Sequence, residues 1–426
     1  MIVWDRGTWT AYKTDDPAKA IADGELHFSV KGDKLAGHFM LVRRGHDGED
    51  NWLLFHKDDE DAVPGWDPEE HPLSVKSGRT NDEVAAAPEA LWRGDLPADR
   101  AEVAVGAAGH WPAPTDDELV ALDALGAGGR WNLGGRDLRL TNLGKVLLPG
   151  AEDRPEVTKR DLVRYHATVA PHMLPYLAGR PVNLHRFPNG VDREGFWQKE
   201  VAGTAPDWLT TWRNPEARPD KSEVYAVLDS PAALAWAANL AAVELHPWTS
   251  GLRDVREPDW ALIDVDPGEE TTFADVVLLA RLHGEALRHL GVEGMPKVTG
   301  RRGIQIWVPV RAGYTFEQTR AWVRKVSKAV GSTVPELVSW EWYRDRRGGL
   351  ARLDYTQNVG NKTLVAPFSA RPAPGAPVSV PITWDELADP DLRPDRWTVH
   401  TVLDRLAETG DPLHPLIGRA QELPEL

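Results

Sequence analysis

Two aspartates one residue apart, Asp264 and Asp266 in the segment WALIDVDPGEE, are the side chains best placed for chemistry. In an extended strand residues i and i+2 leave the same face. Both carboxylates therefore project from one side, where the strand meets a Pro-Gly turn. Adjacent carboxylates repel unless a cation lies between them. Hard divalent ions such as Mg or Mn take oxygen ligands of this kind. Two such ions about 3.5–4 Å apart can clamp the attacking and leaving oxygens of a phosphoryl transfer. The same pair is compatible with two solvated aspartates at a strand end. A third acid, Asp354 in GGLARLDYTQN, shares a strand face with Leu350 and Arg352, while Leu353 and Tyr355 face the other way. Asp354 could bind the ion that activates a 3′-hydroxyl, or it could pair with a nearby arginine.

Between these acids lies VTGRRGIQIW, a small basic turn before a strand. Its amides and arginine forks suit a triphosphate, although the Walker A order of Gly, Lys and Ser/Thr is absent. Thr299 to Gly303 also fits a tight hairpin with two exposed arginines. His246 in VELHPW could reach a nucleotide or a metal, or be structural. Arg186 in LHRFPNG precedes a Pro-Asn-Gly turn. Phe196 and Trp197 in REGFWQKE are adjacent, so in an extended segment they cannot both enter one core. An exposed member of that pair could stack on a base, worth about 1–3 kcal/mol. Lys159 falls in the first turn of a helix, where a cation opposes the dipole. A bound anion would compensate it there, and a solvated lysine is the alternative.

The elements that must position these residues can be read from periodicity. Residues 1–85 form a small β unit, with strands Glu25–Val30, Gly37–Arg43 and Asn51–His56 and a turn at Gly32-Asp33. Residues 86–129 are rich in Ala, Pro, Gly and Asp and read as a linker with one short helix over Thr115–Leu125. From Trp131 strands and helices alternate, predicting an α+β or α/β domain over 130–420. Thr158 with Asp161 three residues on is a capping-box variant. A strand over Asp259–Val265 precedes a helix from Thr272 to Leu290 closed by Gly291. A strand over Gly303–Pro309, a helix over Phe316–Val330, a strand over Leu350–Tyr355 and a helix over Val399–Glu408 follow.

Composition sets the outer bounds. The chain has 426 residues, a net charge of −16 and no cysteine, which excludes disulfides, thiolate zinc sites and cysteine nucleophiles. No run of about 18 apolar residues suggests a membrane span, and MIVWDRGTW lacks the pattern of a signal peptide. A cytoplasmic, nucleoid-associated protein is expected. The charge is uneven. Lys297 to Arg371 holds 14 Lys/Arg against 5 Asp/Glu, whereas Asp47 to Glu69 is mostly acidic. A basic stretch of this kind matters more for nucleic-acid binding than the net charge does.

Taken together, the ordered motifs LTNLGKVLLP, TKRDLVRYH, GRPVNLHRFPNG, FWQKE, SPAALAWAANLAAVELHPW, LIDVDPGE, TGRRGIQIW and RLDYTQNVGNKTLVAPFSAR resemble the polymerase domain of bacterial DNA ligase D. That domain is a branch of the archaeo-eukaryotic primase superfamily, and the resemblance spans about Trp131 to Gly418. It implies an α+β fold with a primase-like, RRM-type antiparallel or mixed sheet and flanking helices. It implies that Asp264, Asp266 and Asp354 bind two Mn or Mg ions. Arg186, His246, Thr299, Arg302, Gln357 and Arg371 would bind the incoming nucleotide. Phe196 and Trp197 would pack on template DNA, and Asn142, Lys145 and Lys159 would hold the 5′-phosphate of a break.

The family's second motif is Ser-Gly-x-Lys-Gly-x-His; here Thr299 and Arg302 keep the hydroxyl and the charge, but Gln305 replaces the imidazole. The first 85 residues resemble the C-terminal half of the ligase D 3′-phosphoesterase domain, whose active site needs a histidine-rich front half. Phosphoesterase activity is therefore expected to be absent, and no Lys-x-Asp-Gly ligase motif is present. The expected activity is metal-dependent, template-directed nucleotide addition at DNA ends in non-homologous end joining. Nucleoside triphosphates, 5′-phosphorylated DNA, a Ku-type end-binding protein and a separate ATP-dependent ligase are the expected partners. A noncatalytic end-binding module and a primase are the competing readings.

Overall fold

The computed structural model describes residues 2–44, 51–86, 90–92, 102–104, 111–201, 203–215, 217 and 223–426. The chain divides into two compact units, Met1–Pro88 and Glu89–Leu426. Residues 87–89, 93–101 and 105–110 of the expected 86–129 linker lie outside the described residues. Its end does not behave as a linker, because the helix Asp116–Ala124 buries Leu122 in the core of the second unit. Thr115 caps that helix in a reciprocal box with Glu118.

The first unit is a four-stranded antiparallel sheet in sequential order: Gly7–Ala11, Glu25–Gly32, Ala36–Arg43 and Trp52–His56. Three of these strands lie where strands were expected. The strand GTWTA and the helix Pro17–Asp23 were not anticipated: the strand is nearly all exposed and so carries no burial alternation to read. Leu26 and Phe39 are the fully buried apolar side chains of the sheet.

The second unit places its chemistry on two antiparallel sheets. In the first, Pro181–Arg186 pairs with Phe196–Gln198, Val224–Val227 and Ala242–Pro247. In the second the order is Arg352–Asp354, Trp260–Asp266, Ile304–Pro309, Met295–Val298 and Val380–Pro381. One face of this second sheet carries Ala261, Ile263, Ile306 and Val308. These pack with Leu287 of the helix Phe273–His289 and with Trp322, Val323 and Val326 of the helix Phe316–Thr333. On the opposite face Trp260, Leu262 and Trp307 join the main core, and Asp264 and Asp266 follow toward the strand end. Both helices start at Thr N-caps, Thr272 and Thr315, with complete capping boxes, and Gly291 closes the first at φ +66°. Among the described residues no helix is long and apolar enough to cross a membrane.

Candidate active site

Strand pairing brings the three acids together. Asp264 lies directly across from Asp354, and Asp266 lies across from Arg352. Residues opposite each other in an antiparallel pair share a face, so all three carboxylates emerge on the side away from the helices. On its other flank Asp264 faces Gln305, which in turn faces Lys297. A transverse row of Asp354, Asp264, Gln305 and Lys297 thus crosses the sheet.

Two backbone devices hold this row. Asn358, 1% exposed, donates through Nδ2 to the Leu262 carbonyl and accepts from the Leu262 amide, both at 2.8 Å. It fixes the loop after Asp354 to the strand that carries Asp264. Gly268 is the second device. A Cβ there would lie 2.1 Å from the Gly349 oxygen, so only glycine lets the turn after Asp266 lie against the loop before Asp354.

The Asp264 carboxylate is electrostatically strained. Burial, then the charges of Asp266 and Asp354, push the Asp264 carboxyl up to about 7. Asp266 is paired with the buried guanidinium of Arg347 at 2.8 Å. Asp354 accepts from the Thr356 amide at 2.8 Å, the Thr356 hydroxyl at 2.6 Å and Gln357 Nε2 at 3.2 Å. Each carboxylate is turned onto a neighbour, and among the described residues no three acid or histidine side chains form a ready cation cluster. The donor set nevertheless fits a hard divalent ion: three carboxylates on one face, one of them disfavoured as an anion by the other two.

The expected nucleotide residues gather beside this row, with one exception. Thr299 and Gly303 close the basic turn through backbone and hydroxyl hydrogen bonds. Arg302 is exposed and donates to the Gly268 carbonyl. Arg371 donates to the Thr299 carbonyl at 3.0 Å. Gly300, at φ +72°, lets Arg371 approach, since a Cβ would stand 2.7 Å from its Cγ. His246 has its imidazole pushed down to about 3 by burial, so it is neutral. The exception is Arg186. It shares a strand with His185 but leaves the opposite face, reaching Gln198, the Leu240 carbonyl and the Phe196 ring. Strand alternation thus sets it apart from the expected nucleotide group and beside Lys159.

A second cationic group forms there. The Lys159 ammonium is held below its usual value by burial, then by Lys145 and Arg186. Lys145 donates to the Pro188 carbonyl and to Asn189 Oδ1, within the turn after Arg186. Asn142 has φ +54° in the turn that leads to Lys145. The helix Lys159–Thr168 does not offer free amides. The amides of Lys159 and Arg160 reach the carbonyls of Lys145 and Leu143, and that of Asp161 reaches the Thr158 hydroxyl. An anion at this place would be held by ammonium and guanidinium groups rather than by the helix end.

Phe196 and Trp197 are 46% and 49% exposed, as their adjacency demanded of at least one of them. Trp197 stacks on His185 at 4.2 Å with 8° between planes. Sequence reasoning missed Lys297, Glu244, His185, Arg347 and Asn358, whose partners lie far away along the chain.

The family description "LigD, primase-polymerase domain" matches residues 158–413. The multifunctional non-homologous end joining protein LigD of Mycolicibacterium smegmatis is 34% identical over 281 residues, covering 66% of this chain and 36% of that protein. The bifunctional LigD of Bacillus subtilis is 29% identical over 288 residues, 67% of this chain and 45% of that protein. Less than half of either relative's length is therefore spanned. Among solved structures, the polymerase domain from Mycobacterium tuberculosis ligase D in complex with DNA is similar with a TM-score of 0.60 and 33% identity. That similarity covers 67% of this chain and 99% of the other.

Proposed function

The chain belongs to the LigD primase-polymerase family, and from that premise we propose that it is a metal-dependent, template-directed nucleotidyltransferase. It adds nucleotides to DNA 3′ ends at 5′-phosphorylated gaps or overhangs during non-homologous end joining. The observation that carries this reading is the cross-strand pairing of Asp264 with Asp354, with Asp266 on the same face.

Asp264, Asp266 and Asp354 would hold two Mn or Mg ions. When bound, such ions supply positive charge at the attacking and leaving oxygens. Arg302 and Arg371 neutralise the triphosphate, while the turn from Thr299 to Gly303 lies alongside it. Neutral His246 is suited to donate or accept a hydrogen bond without changing the charge. Gln357, bonded to Asp354, orients that carboxylate. Lys145, Lys159 and Arg186 form a site for a terminal phosphate dianion, and the exposed Phe196 and Trp197 offer stacking faces for a template base. This reading moves Arg186 from the nucleotide to the DNA phosphate. In this reading a Ku-type end-binding protein and a separate ATP-dependent ligase are partners that would hold and seal the extended ends.

The test is a duplex with a one-nucleotide gap and a 5′-phosphate, incubated with ribo- or deoxynucleoside triphosphates and Mn or Mg. The expected product is the 3′ strand lengthened by the templated nucleotide and abolished by chelator. DNA binding without extension at any metal concentration would instead indicate a noncatalytic end-binding module.

A further inference from the structure

Glu244 is a carboxylate with no part in the reading above, yet it is 3% exposed and joins its two halves. Its Oε1 lies 2.7 Å from Arg371 Nε, and its Oε2 lies 2.5 Å from His185 Nδ1. His185 is the ring on which Trp197 stacks. Arg371 in turn donates to the Thr299 carbonyl, at the head of the basic turn. His246 completes the group, with Nε2 3.9 Å from Glu244 and its ring edge-on to Trp197 at 4.7 Å.

Strand register explains the arrangement. His185 pairs with both Trp197 and Glu244 across adjacent strands, so Trp197, His185 and Glu244 form one continuous row on one sheet face. Arg371 bridges from the end of this row to the sheet that carries the acids. Burial disfavours the Glu244 charge, but the His185 hydrogen bond and Arg371 more than compensate, and its carboxyl stays below the usual glutamate value. A buried carboxylate held by a histidine hydrogen bond on one oxygen and an arginine ion pair on the other has little freedom: displacing either partner redirects the other.

We propose that Glu244 is a positioning residue that couples template stacking on Trp197 to the placement of the triphosphate-binding Arg371. This rests on the proposed polymerase reading. A base stacked on Trp197 fixes the His185 ring, which fixes the Glu244 carboxylate, which sets the Arg371 guanidinium over the nucleotide turn. The nucleotide site is thereby best ordered when a template base is in place.

A double-mutant cycle on the nucleotide KM tests this, using templated filling of a one-nucleotide gap by the full chain. Trp197→Ala should raise the nucleotide KM by about threefold or more in the wild-type background, and by much less in Glu244→Gln, because contacting residues are non-additive. Equal factors in both backgrounds would overturn the proposal, since a purely structural Glu244 gives additive losses. If Glu244→Gln does not fold, Glu244→Asp takes its place in the cycle. It keeps the charge but is one methylene too short to hold both His185 and Arg371, and the same non-additivity is expected. A wild-type chain that extends no DNA strikes the polymerase reading itself, whereas an active wild type with an additive cycle strikes the coupling alone.

Discussion

Asp264 and Asp354 come from distant stretches of the chain and stand directly opposite each other on neighbouring antiparallel strands. Burial, and after it the charges of Asp266 and Asp354, raise the Asp264 carboxyl to about 7. A carboxyl raised in the folded state contributes stability that is complete below its unfolded value, about 4. That contribution is lost as the pH rises through about 7. Metal-free wild type should therefore lose melting temperature relative to Asp264→Asn between pH 4 and 8. Adding Mn at pH 8 should restore several degrees to the wild type and little to the variant. Thermal melts at both pH values decide this, and a difference that does not change with pH would contradict it.

Arg347 competes for the same carboxylates. It is buried, holds Asp266 at 2.8 Å and also donates to the carbonyls of Glu341 and Trp342. Arg347→Ala removes a cation from the acid face, so Mn should bind more tightly, by severalfold in a calorimetric titration. Unchanged or weaker Mn affinity in a folded variant would show that the ion pair does not oppose the metal.

The cationic group around Lys159 should read the end of the DNA. Lys159→Ala should weaken binding to 5′-phosphorylated gapped DNA by about tenfold or more, consistent with roughly 1.5–3 kcal/mol for a charged hydrogen bond. Binding to the same DNA with a 5′-hydroxyl should change little. Fluorescence anisotropy with both DNAs makes the comparison, and an equal loss on each would remove Lys159 from phosphate recognition.

Gly300 should be intolerant of any side chain. At φ +72°, and with Arg371 Cγ and the Val378 backbone inside 3 Å of a Cβ, Gly300→Ala should cost about 1–3 kcal/mol of stability. It should also raise the nucleotide KM through displacement of Arg371. Wild-type melting and KM would show that the turn has room to spare.

The acid pair was legible because the side-chain period of a strand is local: Asp264 and Asp266 are i and i+2, whatever surrounds them. Asp354 was legible as a strand residue, but its place opposite Asp264 is a matter of register, which only the folded sheet supplies. The capping box at Thr158 was likewise local and was found, whereas at Thr272 only the helix start was read and its box with Asp275 was not. Glu244, Lys297 and Asn358 were not, for one shared reason. Each is a buried polar residue whose partners lie far along the chain: Arg371 for Glu244, Ser379 for Lys297 and Leu262 for Asn358. The helix-end argument for Lys159 reached the right neighbourhood by an incomplete route. It could not foresee that the first-turn amides are taken by Lys145, Leu143 and Thr158.

The most direct measurement compares wild type with the Asp264→Ala plus Asp266→Ala variant on one 5′-phosphorylated gapped duplex, following extension and DNA binding in parallel. Three acids acting as the metal-holding group require that the variant bind the duplex as the wild type does while extension falls by about three orders of magnitude or more. Extension at the wild-type rate by the double variant would mean that the chemistry lies elsewhere in the chain.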